Sequence, residues 1–288
     1  MNGFILNLNN AVSLIMAFIM LPLSALTYGI DAISVSSRTD DARVNITGIG
    51  AYYRSQGITT DGENYYFSSK STLIKTEGDY KTLVNANYSA IPGEVKEKYN
   101  SKHIGGISYY NGKIYAGLED SKVFEHPLIG VFDAQTLELE TTRELSETDD
   151  DGSLAVKKGV PWVAVDSETG LLYLANHHKH PEKLFIFDVN NNLEKTGELE
   201  LKEDVYSIQG AEIHGGFIYV ATNDDTQAIY KISLADGSVS KLLDRNLTKG
   251  SEGEGMTLTY RNGSLVITAI DMGPLFVPCA GPAAAGDK

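Results

Sequence analysis

The chain has a single cysteine, Cys279, among 288 residues. That excludes an internal disulfide framework and any zinc site built on thiolates. It is also short of positive charge, with 24 lysines and arginines against 38 aspartates and glutamates and a formal net charge of −14. Phosphate backbones and anionic lipid surfaces are bound by clustered cations, so neither nucleic acid nor an anionic membrane surface is expected as a partner. Tryptophan occurs once, at Trp162. No Walker loop, dinucleotide-binding glycine fingerprint or GxSxG nucleophile elbow is present. A cationic ligand, a small polar molecule or a bound divalent metal remains open to such a chain.

No formally charged side chain occurs in residues 1–30, and residues 11–26 (AVSLIMAFIMLPLSAL) are almost wholly apolar. A run of that length suits the apolar region of a signal peptide better than a membrane span, which needs about 20 residues. Thr27 and Gly29 stand where a small-residue cleavage pair would. No Lys or Arg precedes the apolar run, so an uncleaved signal anchor is the alternative. Residues 1–32 are thus read as leader or anchor, and the protein as secreted or held at the cell surface. Sequons at Asn45, Asn87, Asn246 and Asn262 permit glycosylation if the host performs it. Hydrophobic residues make up 42% of the chain, enough for one large domain, here residues 33–277, expected to be monomeric.

Self-similarity organises that domain. A unit recurs at QGITTDGENYYFSS from Gln56, HIGGISYYNGKIYAGLE from His103 and VPWVAVDSETGLLYLAN from Val160. Two further copies are QGAEIHGGFIYVATN from Gln209 and EGEGMTLTYRNGSLVITAID from Glu252. Aligned on Gly62, Gly112, Gly170, Gly216 and Gly263, the copies are spaced by 50, 58, 46 and 47 residues, about what four strands with short turns require. Asp61-Gly62, Asn111-Gly112, Gly215-Gly216 and Asn262-Gly263 supply the positive-φ positions of tight hairpins. Apolarity falls from the first three strands of each unit to the fourth, at residues 81–87, 138–145, 195–201 and 238–244, as in a radial sheet whose outer edge is wet.

The expected fold is therefore all-β, a β-propeller of four-stranded antiparallel blades. Five blades are favoured, with six as the alternative. The fifth copy runs out of strands after Asp271, and a short N-terminal strand over residues 43–49 (RVNITGI) is expected to close it. The Ala/Gly-rich segment 278–288 has no periodicity and reads as an unstructured tail. First strands begin beside Gly57, Gly105-Gly106, Gly210-Ala211, Gly253 and Gly255, where strands converging on an axis leave room only for small residues. Over residues 43–277 the blade pattern resembles the secreted propellers that include the glutamine cyclotransferase, gluconolactonase-like and quinoprotein-like families. The Gln56-Gly57 blade start is similar to that of the glutamine cyclotransferases. No complete catalytic signature accompanies these likenesses.

A propeller brings two sets of loops to one face, those entering the innermost strands and those joining second to third strands. The entry set is Gln56, His103, Trp162, Gln209, Glu252 and Glu254. The second set includes Glu119, Asn176–His180 (NHHKH), Asp224, Asp225 and Asp271. Glu252 and Glu254, two apart on an extended chain, point the same way and could act as base and acid, with His103 as ligand or acid. His177, His180, Asp224 and Asp271 are candidate ligands for Ca²⁺ or Zn²⁺. His177 and His178 cannot both face the axis from an extended segment. Gln56, Trp162, Gln209 and Asn176 are candidates for holding a small polar ligand or glycan, with Trp162 stacking on it or, equally, packing between blades. A metal-dependent hydrolase or lactonase-like enzyme, and a protein-interaction scaffold, are the alternatives.

Overall fold

The computed structural model describes residues 44–46, 48–120, 125–149, 152–157, 159–176, 180–261, 264–273 and 278–284. The leader expected at 1–32, together with His177 and His178, lies outside them.

Strand β1 (Val44–Asn45) is followed by a short helix, α1 (Gly48–Tyr52). The first sheet runs β2 (Ile58–Thr60), β3 (Tyr65–Ser69), β4 (Thr72–Thr76) and β5 (Leu83–Asn87). Helix α2 (Gly93–Tyr99) leads to the second: β6 (His103–Tyr110), β7 (Lys113–Glu119), β8 (Leu128–Asp133) and β9 (Leu139–Glu144). The third comprises β10 (Ala164–Val165), β11 (Leu171–Leu174), β12 (Lys183–Asp188) and β13 (Glu194–Glu200). The fourth comprises β14 (Ile208–His214), β15 (Phe217–Thr222), β16 (Ile229–Ser233) and β17 (Val239–Leu243). In each of these sheets the strands lie side by side in chain order and pair antiparallel. This is a β-propeller, and its hairpins turn where the glycines were expected, with Gly62, Gly112 and Gly216 at positive φ.

The last copy behaves differently. Its strands β18 (Glu252–Arg261) and β19 (Ser264–Met272) are joined by β20 (Pro278–Ala284), and β1 pairs on the outside of β20 in the order β1–β20–β19–β18. Two expectations are corrected here. Backbone pairing along seven positions from Val266↔Ala284 to Met272↔Pro278 makes a strand of the supposed tail. The expected N-terminal strand over 43–49 is reduced to two residues, because the chain turns into α1 at Gly48. Four copies thus complete their own sheets, whereas this sheet draws on both ends of the described chain.

The core lies between sheets. Tyr66, Ile104, Ile114 and Phe132 fill the space between the first and second, and Val131, Val163, Phe185 and Phe187 that between the second and third. Trp162, Leu184, Ile208 and Val220 join the third to the fourth. Tyr219, Ile229, Met256 and Ile267 join the fourth to the β18 sheet, and Ile46, Ile58, Phe67 and Ile270 join that sheet back to the first. Strands β3 and β4 are buried along their whole length, while β13 alternates exposed and half-buried positions, so the outward gradient read from the sequence is real. Ion pairs on that outer strand, such as Lys183 with Glu198, contribute little in high dielectric.

Where the innermost strands begin, backbones touch. Gly255 N–H donates to Gln56 O at 2.8 Å, and Gly106 N–H donates to Pro161 O at 2.8 Å. Gly57 N–H donates to Ser68 Oγ (2.8 Å), whose hydroxyl donates to Gly105 O (2.6 Å). A Cβ on Gly105 would stand 2.2 Å from Pro161 O, and one on Gly210 would stand 2.5 Å from Gly255 Cα. Neither neighbour is a side chain that can swing aside. Gly105→Ala and Gly210→Ala should each destabilise the chain by about 3 kcal/mol in urea unfolding. Gly93→Ala, where nothing lies within 4 Å, should stay within about 0.5 kcal/mol of wild type. Equal midpoints for all three would contradict this packing.

Candidate functional site

Strand β18 carries the chemistry of the entry end. Its pairing with β19 shifts register between Gly253 and Met256, and this bulge re-aims the side chains around it. Glu252 is exposed, while Glu254, two residues on, is only 6% exposed. The two carboxyl groups are hydrogen-bonded to one another. Burial pushes Glu254 well above the usual carboxylate range, the negative charge of Glu252 adds to the rise, and the nearby Arg245 guanidinium opposes it. Glu254 is therefore held toward its neutral form, beside the water-facing carboxyl of Glu252. A group able to give a proton and a second carboxyl thus stand side by side.

Arg245 frames this pair. Its Nε donates to Gln227 O (2.5 Å), Nη2 to Thr222 O (2.8 Å) and Nη1 to Asp271 Oδ1 (2.7 Å). The guanidinium crosses from the end of the fourth sheet onto the β18 sheet, over Gly253, where an added Cβ would lie 2.0 Å from Nη2. A planar donor fork suits this work, since it satisfies three carbonyls (Ile270 O being the third, at 3.4 Å from Nη1) and a carboxylate at once. Nothing in the repeat pattern marked Arg245, which lies after the fourth strand of its copy.

The other expected residues divide. His103 Nδ1 pairs with Glu119 Oε2 at 3.1 Å, the two being register partners on β6 and β7. Gln56 Nε2 donates to Ser55 O and Gln209 Nε2 to Ser207 Oγ, so both amides turn back onto their own loops. Asn176 Oδ1 accepts from Lys157 N–H. Trp162 is not a wall of the mouth. It is fully buried between the third and fourth sheets, and its Nε1–H has no partner among the described residues. Burial followed from its position beside Gly106, whose added Cβ would sit 2.7 Å from Trp162 Cβ.

Of the proposed metal ligands, His177 lies outside the described residues and the other three are otherwise engaged. His180 is exposed and faces Asp204 at 3.2 Å. Asp224 organises its own loop, accepting from the N–H groups of Thr226 and Ala228 and from Tyr230 O–H. Asp271 is held by Arg245. Among the described residues no three His, Cys, Asp or Glu side chains form a group able to hold a metal ion. Much of the acidity serves turns in the same way: Asp61, Asp79, Asp133, Asp166 and Asp188 all accept backbone N–H groups two or three residues on.

One residue on the axis escaped the sequence reading. Innermost strands carry Gly57-x-Thr59, Gly106-x-Ser108, Trp162-x-Ala164, Gly210-x-Glu212 and Gly255-x-Thr257 at matching positions. Thr59 Oγ1 accepts from Tyr109 N–H and Ser108 Oγ from Val165 N–H, each hydroxyl fastening the next sheet. At the fourth such position stands a carboxyl. Thr257 O–H donates to Glu212 Oε2 at 3.0 Å, and Thr59 is its second hydroxyl partner. Glu212 is surrounded by protein yet keeps part of its surface in contact with water. Aligning the copies on the entry glycine would have exposed it.

No protein-family model and no curated protein sequence matches the chain. Among solved structures it is similar to the Kuenenia stuttgartiensis hydrazine synthase, with a TM-score of 0.44 and 12% identity over 76% of this chain. It is similar to a chain of the mitotic checkpoint complex, with a TM-score of 0.42 and 9% identity over 80% of this chain. A nidogen–laminin complex gives a TM-score of 0.48 and 13% identity over 77% of this chain and 76% of that one. The chain spans 56% of the hydrazine synthase chain and 62% of the checkpoint chain. The fold assignment rests on this chain's own sheets.

Two outcomes follow from the β18 electrostatics. Replacing Arg245 by Met removes the buried guanidinium that bridges the Thr222 and Gln227 carbonyls to Asp271 and should cost about 3 kcal/mol in urea unfolding. Glu254 binds its proton more tightly folded than unfolded. Its stabilising contribution is complete below the usual 4.5 and is lost as pH rises through the raised folded value. Glu254→Gln should therefore flatten the decline of stability above that pH, and an unchanged decline would contradict the buried pairing.

Proposed function

We propose that the protein is an exported β-propeller that captures a small polar ligand, with hydroxyl groups and a cationic amine, at the entry end of its innermost strands. The observation that carries this reading is the hydrogen-bonded Glu252–Glu254 pair, one carboxyl buried and one facing water on the same strand. An ammonium group brought to the pair replaces the shared proton, so binding releases a proton and relieves a buried carboxyl. The net charge of −14 draws cations toward the protein. On this reading the β18 sheet is the fifth blade, closed by β1 from outside. The fit is supported by the apolar clusters that join it to both neighbours. The apolar leader supports export.

Hydrolysis of a small ester, lactone or glycoside at the same pair is the second reading. It is favoured by a buried carboxyl held toward its protonated form beside a second, water-facing carboxyl, since acid–base catalysis uses paired carboxyls. A divalent cation at the mouth would require Glu252 or Glu254 to lose the shared proton.

Glucosamine and N-acetylglucosamine separate these ideas, since they differ in charge at one nitrogen. Glucosamine should raise the unfolding temperature of the wild-type chain with a concentration dependence that gives its affinity. N-acetylglucosamine should raise it far less, and Glu252→Gln/Glu254→Gln should abolish the glucosamine response. Added Ca²⁺ or Zn²⁺ should produce no increment that survives the same double substitution. No response to glucosamine, or an equal response in the double variant, would overturn the reading.

A further inference from the structure

We infer that Glu212 is an axial proton switch that sets the conformation of the segment from Glu254 to Thr257, so that ligand capture at the entry end follows protonation of a carboxyl on the axis. The inference rests on the ligand site proposed above and adds its regulation.

The geometry is a short lever. Glu212 on β14 meets the hydroxyls of Thr257 on β18 and Thr59 on β2, so one carboxyl ties three innermost strands together. These strands form the seam around the sheet built from both chain ends. Thr257 lies three residues beyond Glu254, and the intervening Gly255 is wedged. Its N–H donates to Gln56 O, and a Cβ on Gly210 would come within 2.5 Å of its Cα. The register shift between Gly253 and Met256 falls within the same stretch, and a bulge is where a strand can re-aim. Movement of Thr257 is thus passed to Glu254 through a segment with few other ways to yield.

The chemistry supplies two states. Ionised, the Glu212 carboxylate accepts from both threonine hydroxyls and from Ile213 N–H. Protonated, it has a hydrogen to donate, so one hydroxyl must turn from donor to acceptor and find a new partner for its own proton. Burial pushes Glu212 up to about 7, while the bonds from Thr257, Ile213 and Thr59 pull it down. No charged side chain contributes to that shift. The titratable groups on the strands packed against β14 are Tyr219 on β15, His103, Tyr109 and Tyr110 on β6, and Glu252, Glu254, Tyr260 and Arg261 on β18. Strands β2 and β10 carry none. On β14 itself the only other such group is His214, bonded through Nε2 to Tyr260 O–H at 2.8 Å. The switch is therefore read as the state of one carboxyl.

Amide hydrogen exchange of Gly255 in the full chain tests this without any ligand. After correction for the intrinsic rate, its protection should change between about pH 6 and about pH 8, with a midpoint near 7. Glu212→Gln should hold it constant. Thr257→Val, which removes a donor to the ionised form, should move the midpoint to higher pH. Glucosamine affinity in wild type should carry this titration in addition to the proton release at Glu254, and in Glu212→Gln only the latter pH dependence should remain. Should glucosamine fail to bind while Gly255 protection still titrates and Glu212→Gln abolishes it, the switch stands and only the ligand reading falls. Identical pH profiles of Gly255 protection in wild type and Glu212→Gln would overturn the switch whatever the binding data say.

Discussion

Backbone meets backbone where the innermost strands begin, and the rest of the molecule is arranged around that approach. Strands tied as closely as Gly255 N–H to Gln56 O leave no room for a Cβ at Gly57, Gly105, Gly210 or Gly255. The absence of side chains there brings the sheets into contact and lets apolar clusters fill each gap between neighbours. The same closeness decides what happens to a polar group on these strands. It must be satisfied by the next strand, as Thr59 and Ser108 are, or stand in a setting that disfavours its charge.

Glu254 and Glu212 are the two carboxyls in that second position. Both are pushed upward, and burial is the first cause in each case. An acidic protein could have surrounded them with lysines, yet its cations are spent on outer strands, such as Lys183 and Lys195 beside Glu198. The buried guanidinium beside Glu254, that of Arg245, is occupied with carbonyls and Asp271. Charge is thus abundant on the surface and scarce at the centre. This is why proton uptake, more than ion pairing, governs the electrostatics of the axis.

Much of this was legible in the sequence. The recurring glycine turns located the hairpins, and falling apolarity located the outer strands. Glycines at the strand starts foretold the close approach. Other features left weaker traces. The strand at Pro278–Ala284 is made of small residues with no alternation, since its order comes from pairing with β19. Trp162 and Arg245 owe their places to neighbours from other sheets, which no local pattern encodes. Asp224 looked like a ligand because a loop aspartate that accepts backbone N–H groups has the same composition as one awaiting a metal, and Asp271 because its partner Arg245 lies outside the repeat pattern. Glu212 was readable in principle, as the single charged residue among five equivalent positions.

Site-resolved titration of the Glu254 carboxyl carbon by NMR in the full chain tests the account most directly. A midpoint well above the usual 4.5, falling toward it when Glu252 is replaced by Gln, is the predicted result, because removing that neighbouring charge lets Glu254 ionise more readily. A midpoint in the ordinary glutamate range, indifferent to the residue at position 252, would mean that the carboxyl is neither buried nor paired. The ligand site described for this propeller would then have no chemical basis.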